Sequence, residues 1–140
     1  MASKLVEFFN RQPRMGTLST ADKEGNVNAA VFGSPRLLDD RTMVMAIGNN
    51  RSFRNLQENP NAVFTVVQPA ESFLDWKGVR VYLKMTGCHT SGDILDETRA
   101  QVAQVLGEDG AKTAVEFALT FEVTGVRPLI DMGQSYETSI

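Results

Sequence analysis

The sequence predicts a mainly β fold with minor α content: one domain, residues 1–140, built as a six-stranded antiparallel barrel, closed or partly closed, with short flanking helices. Three observations carry this. About six stretches read as strands, mostly linked as hairpins, and only three read as helices, which is too few crossovers for a doubly wound parallel sheet. Two stretches alternate apolar and polar residues with the period of a half-buried strand, Val79 to Met85 and Phe117 to Val123. A chain of 140 residues buries enough surface to hold a core without disulfide or metal, and closing a small antiparallel sheet removes its exposed edges.

The elements follow in order. Residues 4–11 suit a short helix, with Ser3 as cap, Leu5, Phe8 and Phe9 on one face and Pro13 beyond its end. Residues 15–20 and 27–32 read as a hairpin turned at Gly25-Asn26. Gly33-Ser34-Pro35 interrupt the chain, Asp39-Asp40 turn it, and residues 43–47 form a short apolar strand. Gly48-Asn49-Asn50 precede a helix over 52–58 that Asn59-Pro60 close, and a strand over 62–67 follows. Residues 69–78 form an irregular loop carrying Phe73 and Trp76. After the strand from Val79, Asp93 caps a helix to about Leu106, with Leu95, Val102 and Leu106 on one side and Gly107 as its stop, and the strand at 117–123 completes the set. The polar tail, 131–140, either frays or reaches a partner subunit.

Composition narrows the function classes. The formal charge of −3 lacks the basic footprint of a nucleic-acid binder. No apolar run has the length of a membrane span, and the Met-Ala-Ser-Lys start followed by Glu7 and Arg11 does not read as a secretory signal. The single cysteine and six methionines suit a reducing compartment, so a cytoplasmic protein is expected. One His and one Cys leave too few ligands for an ordinary zinc site.

Chemistry concentrates in Gly48-Asn49-Asn50-Arg51-Ser52. A strand ends in a glycine turn and a helix begins at once, presenting unpaired N–H groups and the positive end of the helix dipole. Arg51 adds a fork of donors suited to phosphate, Ser52 a hydroxyl, Asn49 and Asn50 their amides. The same composition also suits a plain capped turn, and the residues of this segment alone leave both readings open.

The order of elements around "GNNRSFRNLQENPNAVFTVV" resembles the pyridoxamine 5′-phosphate oxidase-like, FMN-binding split β-barrel family. In that family a turn with Arg or Lys, then Lys, Ser or Thr, opens a helix that runs to "ENP" and a strand; Arg51-Ser52 and Glu58-Asn59-Pro60 occupy those places. "GNVNAAVFGSP" resembles the strand whose backbone runs beside the isoalloxazine ring, and "MVMAIG" the next strand. The resemblance implies FMN as cofactor, with Asn28, Ala30, Val31 and Phe32, then Ala46, Ile47 and Gly48, then Asn49, Asn50, Arg51 and Ser52 as its binding residues. Two departures matter. Pyridoxine-phosphate oxidases carry an Arg on the second strand where this chain reads Asn28-Ala29-Ala30, and they end in a Trp- and Arg-rich segment where this chain ends "RPLIDMGQSYETSI". The chain thus resembles the short flavoproteins of the superfamily: an oxidoreductase or electron carrier with a small-molecule electron donor or acceptor, or else a non-catalytic flavin-binding protein for storage or sensing. Some relatives hold a deazaflavin instead of FMN.

Other residues receive lesser roles. Trp76 and Phe73 either cover a flavin face or pin their loop; Trp76 is counted with the cofactor-binding residues. Lys77 and Arg80 are read as solvated by default, with a second phosphate contact open to them. His89 reads as a surface residue at a strand end, and Cys88 as a buried, inert thiol. No catalytic residue is assigned. Finally, Val63, Thr65 and Val67 oppose Ala62, Phe64 and Val66, and Ala29 and Val31 oppose Ala30 and Phe32. Strands apolar on both faces need cover on both, so a homodimer is expected; the resemblance places the flavin in its seam.

Overall fold

A computed structural model describes residues 2–140. Seven strands form one antiparallel sheet: β1 (Met15–Ala21), β2 (Val27–Val31), β3 (Arg36–Leu37), β4 (Thr42–Ile47), β5 (Asn61–Gln68), β6 (Lys77–His89) and β7 (Phe117–Pro128). Their order is β2-β1-β5-β6-β7-β4-β3. The sheet curls into a barrel, but its end strands β2 and β3 do not pair with each other. Curvature comes from the long strands β6 and β7, whose pairing shifts register at Tyr82/Leu83 and Met85/Gly87. Such bulges bend and twist a strand. The seventh strand, β3, is two residues long and pairs with Val44 and Met43; the sequence shows there only an interruption around Pro35.

Three helices complete the fold: α1 (Lys4–Asn10), α2 (Arg51–Glu58) and α3 (Asp93–Ala114). Ser3 caps α1 as expected, its Oγ accepting from the Val6 N–H at 3.1 Å. Leu5, Phe8 and Phe9 are buried with Leu18, Met43, Phe64, Leu83, Leu119 and Phe121 in the main core, so α1 plugs the barrel interior. α3 rests on β4 and β7 over a smaller cluster of Ala46, Leu95, Val115 and Ala118. Two expectations for α3 change. Gly92, not Asp93, is its N-cap, with no side-chain cap bond. Gly107 (φ 77°, ψ 168°) does break the helix, but a second helical segment continues to Ala114. It continues because Ala111 and Val115 find buried places against the sheet. Among the described residues no helix is long and apolar enough to cross a membrane.

The tail folds back on its own chain. A short 3₁₀ turn, Tyr136–Ser139, packs on β6 and β7, with Ser139 buried and Tyr136 and Ile140 against the core. Asp131 anchors the segment, accepting from Arg127 Nη2 at 2.6 Å and Arg80 Nη2 at 2.8 Å. Arg80 is therefore committed to the tail. The Arg127 guanidinium, then the Gly133 N–H and the charge of Arg80, hold the Asp131 carboxyl well below the ordinary value of 3.8. A carboxyl depressed on folding stabilises the fold above its unfolded pKa, and the effect fades as pH falls below it. Asp131→Asn should thus lower the thermal midpoint at neutral pH, and the gap from wild type should narrow progressively below about pH 4. A constant gap across that range would contradict the ion-pair account.

Candidate functional site

The site grows from the junction of β4 and α2. β4 ends at Ile47, the Asn50 N–H bonds the Gly48 carbonyl at 3.0 Å, and the Asn50 side chain caps α2 by accepting from the Phe53 N–H at 2.9 Å. The helix starts at Arg51, one residue earlier than expected, because the Asn50 side chain caps it. The Arg51 and Ser52 N–H groups lie in the first turn, where no intrahelical acceptor exists. Arg51 is exposed. Ser52 is 1% exposed, and its Oγ accepts from the Asn28 Nδ2 at 3.2 Å. This hydroxyl ties β2 to the helix start instead of facing outward with Arg51. A second clamp lies beneath it, the Asn55 amide donating to Thr20 Oγ1 at 3.0 Å. Phe53 holds the outer side of α2, stacked on Phe117 at 4.2 Å and 6°.

Beside this junction lies a cavity of about 1060 Å³, the scale of a cofactor site. Val31, Phe32, Ala46, Ile47, Gly48 and Asn50 line it together with Gln101, Val105 and Leu106 of α3. A smaller cavity of about 400 Å³, on the face of β1, β5 and β6, contains none of the expected site residues.

Two residues that sequence reasoning missed build the wall. Ser34 Oγ donates to the Ala46 carbonyl at 2.9 Å and accepts its N–H at 3.0 Å, locking the segment after β2 onto β4. Arg14 lies over the rings of Phe9 and Phe64, 4.9 and 5.3 Å from their centroids. Its guanidinium donates to the Phe9 carbonyl at 2.6 Å, the Gly33 carbonyl at 3.2 Å and the Pro35 carbonyl, while Nε is buried without an acceptor. Burial pulls its pKa down to about 10, so it is charged at neutral pH and clamps residues 33–35. Gly-Ser-Pro did signal an interruption, but nothing local distinguishes Arg14 from a solvated arginine.

Of the twelve expected site residues, six line this cavity: Val31, Phe32, Ala46, Ile47, Gly48 and Asn50. Asn28 and Ala30 share one half-buried face of β2, and Phe32 follows the end of the strand. Asn49, Arg51 and Ser52 border the cavity along the chain. Trp76 does not join them. Its indole N–H donates to the Ala70 carbonyl at 2.8 Å and its ring tilts against Phe73 at 5.6 Å, so it pins its own loop. Lys77 pairs with Gln68 at the far end of β5, whereas Thr20, the partner of Asn28, pairs with Ala62 at the near end. The six residue steps from Ala62 to Gln68 put the loop about 20 Å from the junction within one chain.

Cys88 is exposed, not buried. It lies beyond the Met85/Gly87 bulge, where β6 has left the core and no residue is buried. Desolvation raises its pKa, which favours the thiol over the reactive thiolate. His89 ends the same strand, with Nε2 3.4 Å from Thr120 Oγ1.

Comparison with known proteins places this geometry. No curated protein matches the chain. An FMN-binding protein from Syntrophomonas wolfei superposes with a TM-score of 0.80 at 23% identity, covering 91% of this chain and 84% of that one. HupZ from Group A Streptococcus gives 0.73 at 17%, over 92% and 94%. HutZ, the heme storage protein of Vibrio cholerae, gives 0.69 at 18%, over 96% and 100%. Likeness at such identities establishes the fold, the split barrel with its sheet left open between β2 and β3. The family model described as pyridoxamine 5′-phosphate oxidase matches residues 1–125, the whole barrel up to the middle of β7, and the chain therefore belongs to that family.

Proposed function

We propose that the chain binds FMN non-covalently and works as a flavin-dependent oxidoreductase or electron carrier, as a cytoplasmic homodimer with the flavin at its seam. One observation supports this above the rest: an anion cradle at the start of α2 opens beside a largely apolar cavity. FMN has that duality, a dianionic phosphate and a flat ring. Arg51 and the first N–H groups of α2 would hold the phosphate, with Asn49 and the Asn28–Ser52 pair beside them. Val31, Phe32, Ala46 and Ile47 would pack the ring and exclude water. When bound, FMN supplies the redox chemistry, and the protein supplies position and electrostatics. The test is a titration of flavin-free protein with FMN, read by flavin fluorescence and absorption; saturation at one FMN per chain is expected, and no binding would overturn the reading. Stopped-flow mixing of the loaded protein with NADH or NADPH then separates an oxidoreductase from a protein that only stores or senses flavin.

The dimer is proposed from the outer face of the sheet. Met15, Val27 and Val31 are exposed there. The register sets Thr17 opposite Val31 and Met15 opposite Val67, giving an apolar and small-residue surface across β2, β1 and β5. α2 packs on β1 and β2 and α3 on β4 and β7, so that surface awaits a partner. The interface should be obligate in character, above roughly 2,000 Å² in total. Light scattering at low micromolar concentration should report a dimeric mass, whereas a monomeric mass with FMN fully bound would refute both dimer and shared site.

A further inference from the structure

We infer that the bend of α3 at Gly107 forms the second wall of the ligand site, and that Val105 and Leu106 lie against the face of a bound isoalloxazine ring. The inference rests on the flavin reading above and adds contacts from α3, an element to which the sequence assigned no site residue. Of the 22 residues of α3, Leu95, Thr98 and Ala111 are buried. The rest of the helix spans the cavity without filling it, lining it through Gln101, Val105 and Leu106.

The bend is built rather than frayed. Gly107 holds φ at 77°, a conformation that costs glycine little and other residues more. Arg99, on the arm before the bend, donates through Nε and Nη2 to the Val115 carbonyl, just past the arm after it, at 3.1 and 3.0 Å. That fork sets the angle between the arms. Immediately before the bend stand Val105, 84% exposed, and Leu106, 52% exposed, and the same cavity is lined by Val31 of β2, 73% exposed. Single exposed apolar residues are ordinary. Three of them lining one opening from two separate elements, β2 and α3, are what a flat apolar ligand in that opening would cover. Gln101 and Gln104 line the same cavity, and side-chain amides suit the polar edge of such a ring.

The test compares FMN with riboflavin, which has the same ring and no phosphate, on the full chain carrying Val105→Asp together with Leu106→Asp. Both residues are exposed, so thermal unfolding without flavin should match wild type. Affinity should fall about ten-fold or more for both ligands alike, and iodide should quench the flavin that still binds more readily. Arg51→Ala serves as the contrast, weakening FMN and sparing riboflavin. The milder pair Val105→Ile with Leu106→Met should retain wild-type affinity. If wild-type protein binds FMN and the aspartate pair binds both flavins equally well and equally shielded, the wall is refuted while the flavin reading stands. If wild-type protein binds neither flavin, the flavin reading fails and the inference falls with it.

Discussion

Phe64→Ala is expected to cost about 3–5 kcal/mol of folding stability, the usual range for removing a fully buried aromatic ring. Phe64 is 0% exposed at the centre of β5. Its ring tilts against Phe9 at 5.4 Å and fills the space above Gly16 of β1, where any β-carbon would overlap it. The guanidinium of Arg14 lies over its face. The truncation therefore removes packing from β1, from α1 and from beneath the clamp that fixes residues 33–35. Domains of this size are stable by only about 5–15 kcal/mol, so the loss takes a large share of the total. Urea unfolding should show a lowered midpoint with little change in slope. A loss under about 1 kcal/mol would show that the barrel collapses readily around the gap, contrary to the close fit of Gly16 and Phe64.

Arg51→Ala is expected to weaken FMN binding about ten- to hundred-fold, or roughly 1.5–3 kcal/mol, the value of a charge-assisted hydrogen bond. Stability without ligand should hardly change, because Arg51 is exposed and makes no hydrogen bond or ion pair among the described residues. The helix is capped by Asn50 and held by the Asn28–Ser52 and Thr20–Asn55 pairs, none of which the substitution touches. Titrations with FMN and riboflavin provide the check. Unchanged FMN affinity would remove the phosphate from this cradle and send the search for its binding site elsewhere on the chain.

The elements that the residues announced are those whose signal is local. Alternation in β6 and β7, the Ser3 cap of α1 and the turn at Gly25 each depend on neighbours within a few residues, and each is found where the pattern puts it. The junction at residues 48–52 was legible for the same reason, since a strand end, a cap and a helix start are contiguous in the chain. The resemblance added β2 to it, and the Asn28–Ser52 bond joins the two.

What the tertiary structure decided is what contacts distant in sequence decide. A two-residue strand such as β3 has no period to read and exists because Val44 and Met43 lie alongside. Arg14 matters because Gly33 and Pro35, 19 and 21 positions away, supply carbonyls, and Ser34 because Ala46, 12 positions away, supplies a strand edge. The helix continues past Gly107 because the sheet offers Ala111 and Val115 a buried place, and the tail packs because Arg80 and Arg127 await Asp131. Trp76 shows the limit most plainly. Its composition suited a ring-stacking role, but β5 carries its loop to the far end of the sheet, where the indole bonds its own backbone. Residue type and local period thus determined the mainly β class, most strand positions and the strand–turn–helix junction at residues 48–52. Long-range pairing alone determined which side chains share a cavity, because only the register of the strands brings separate segments of the chain to the same place.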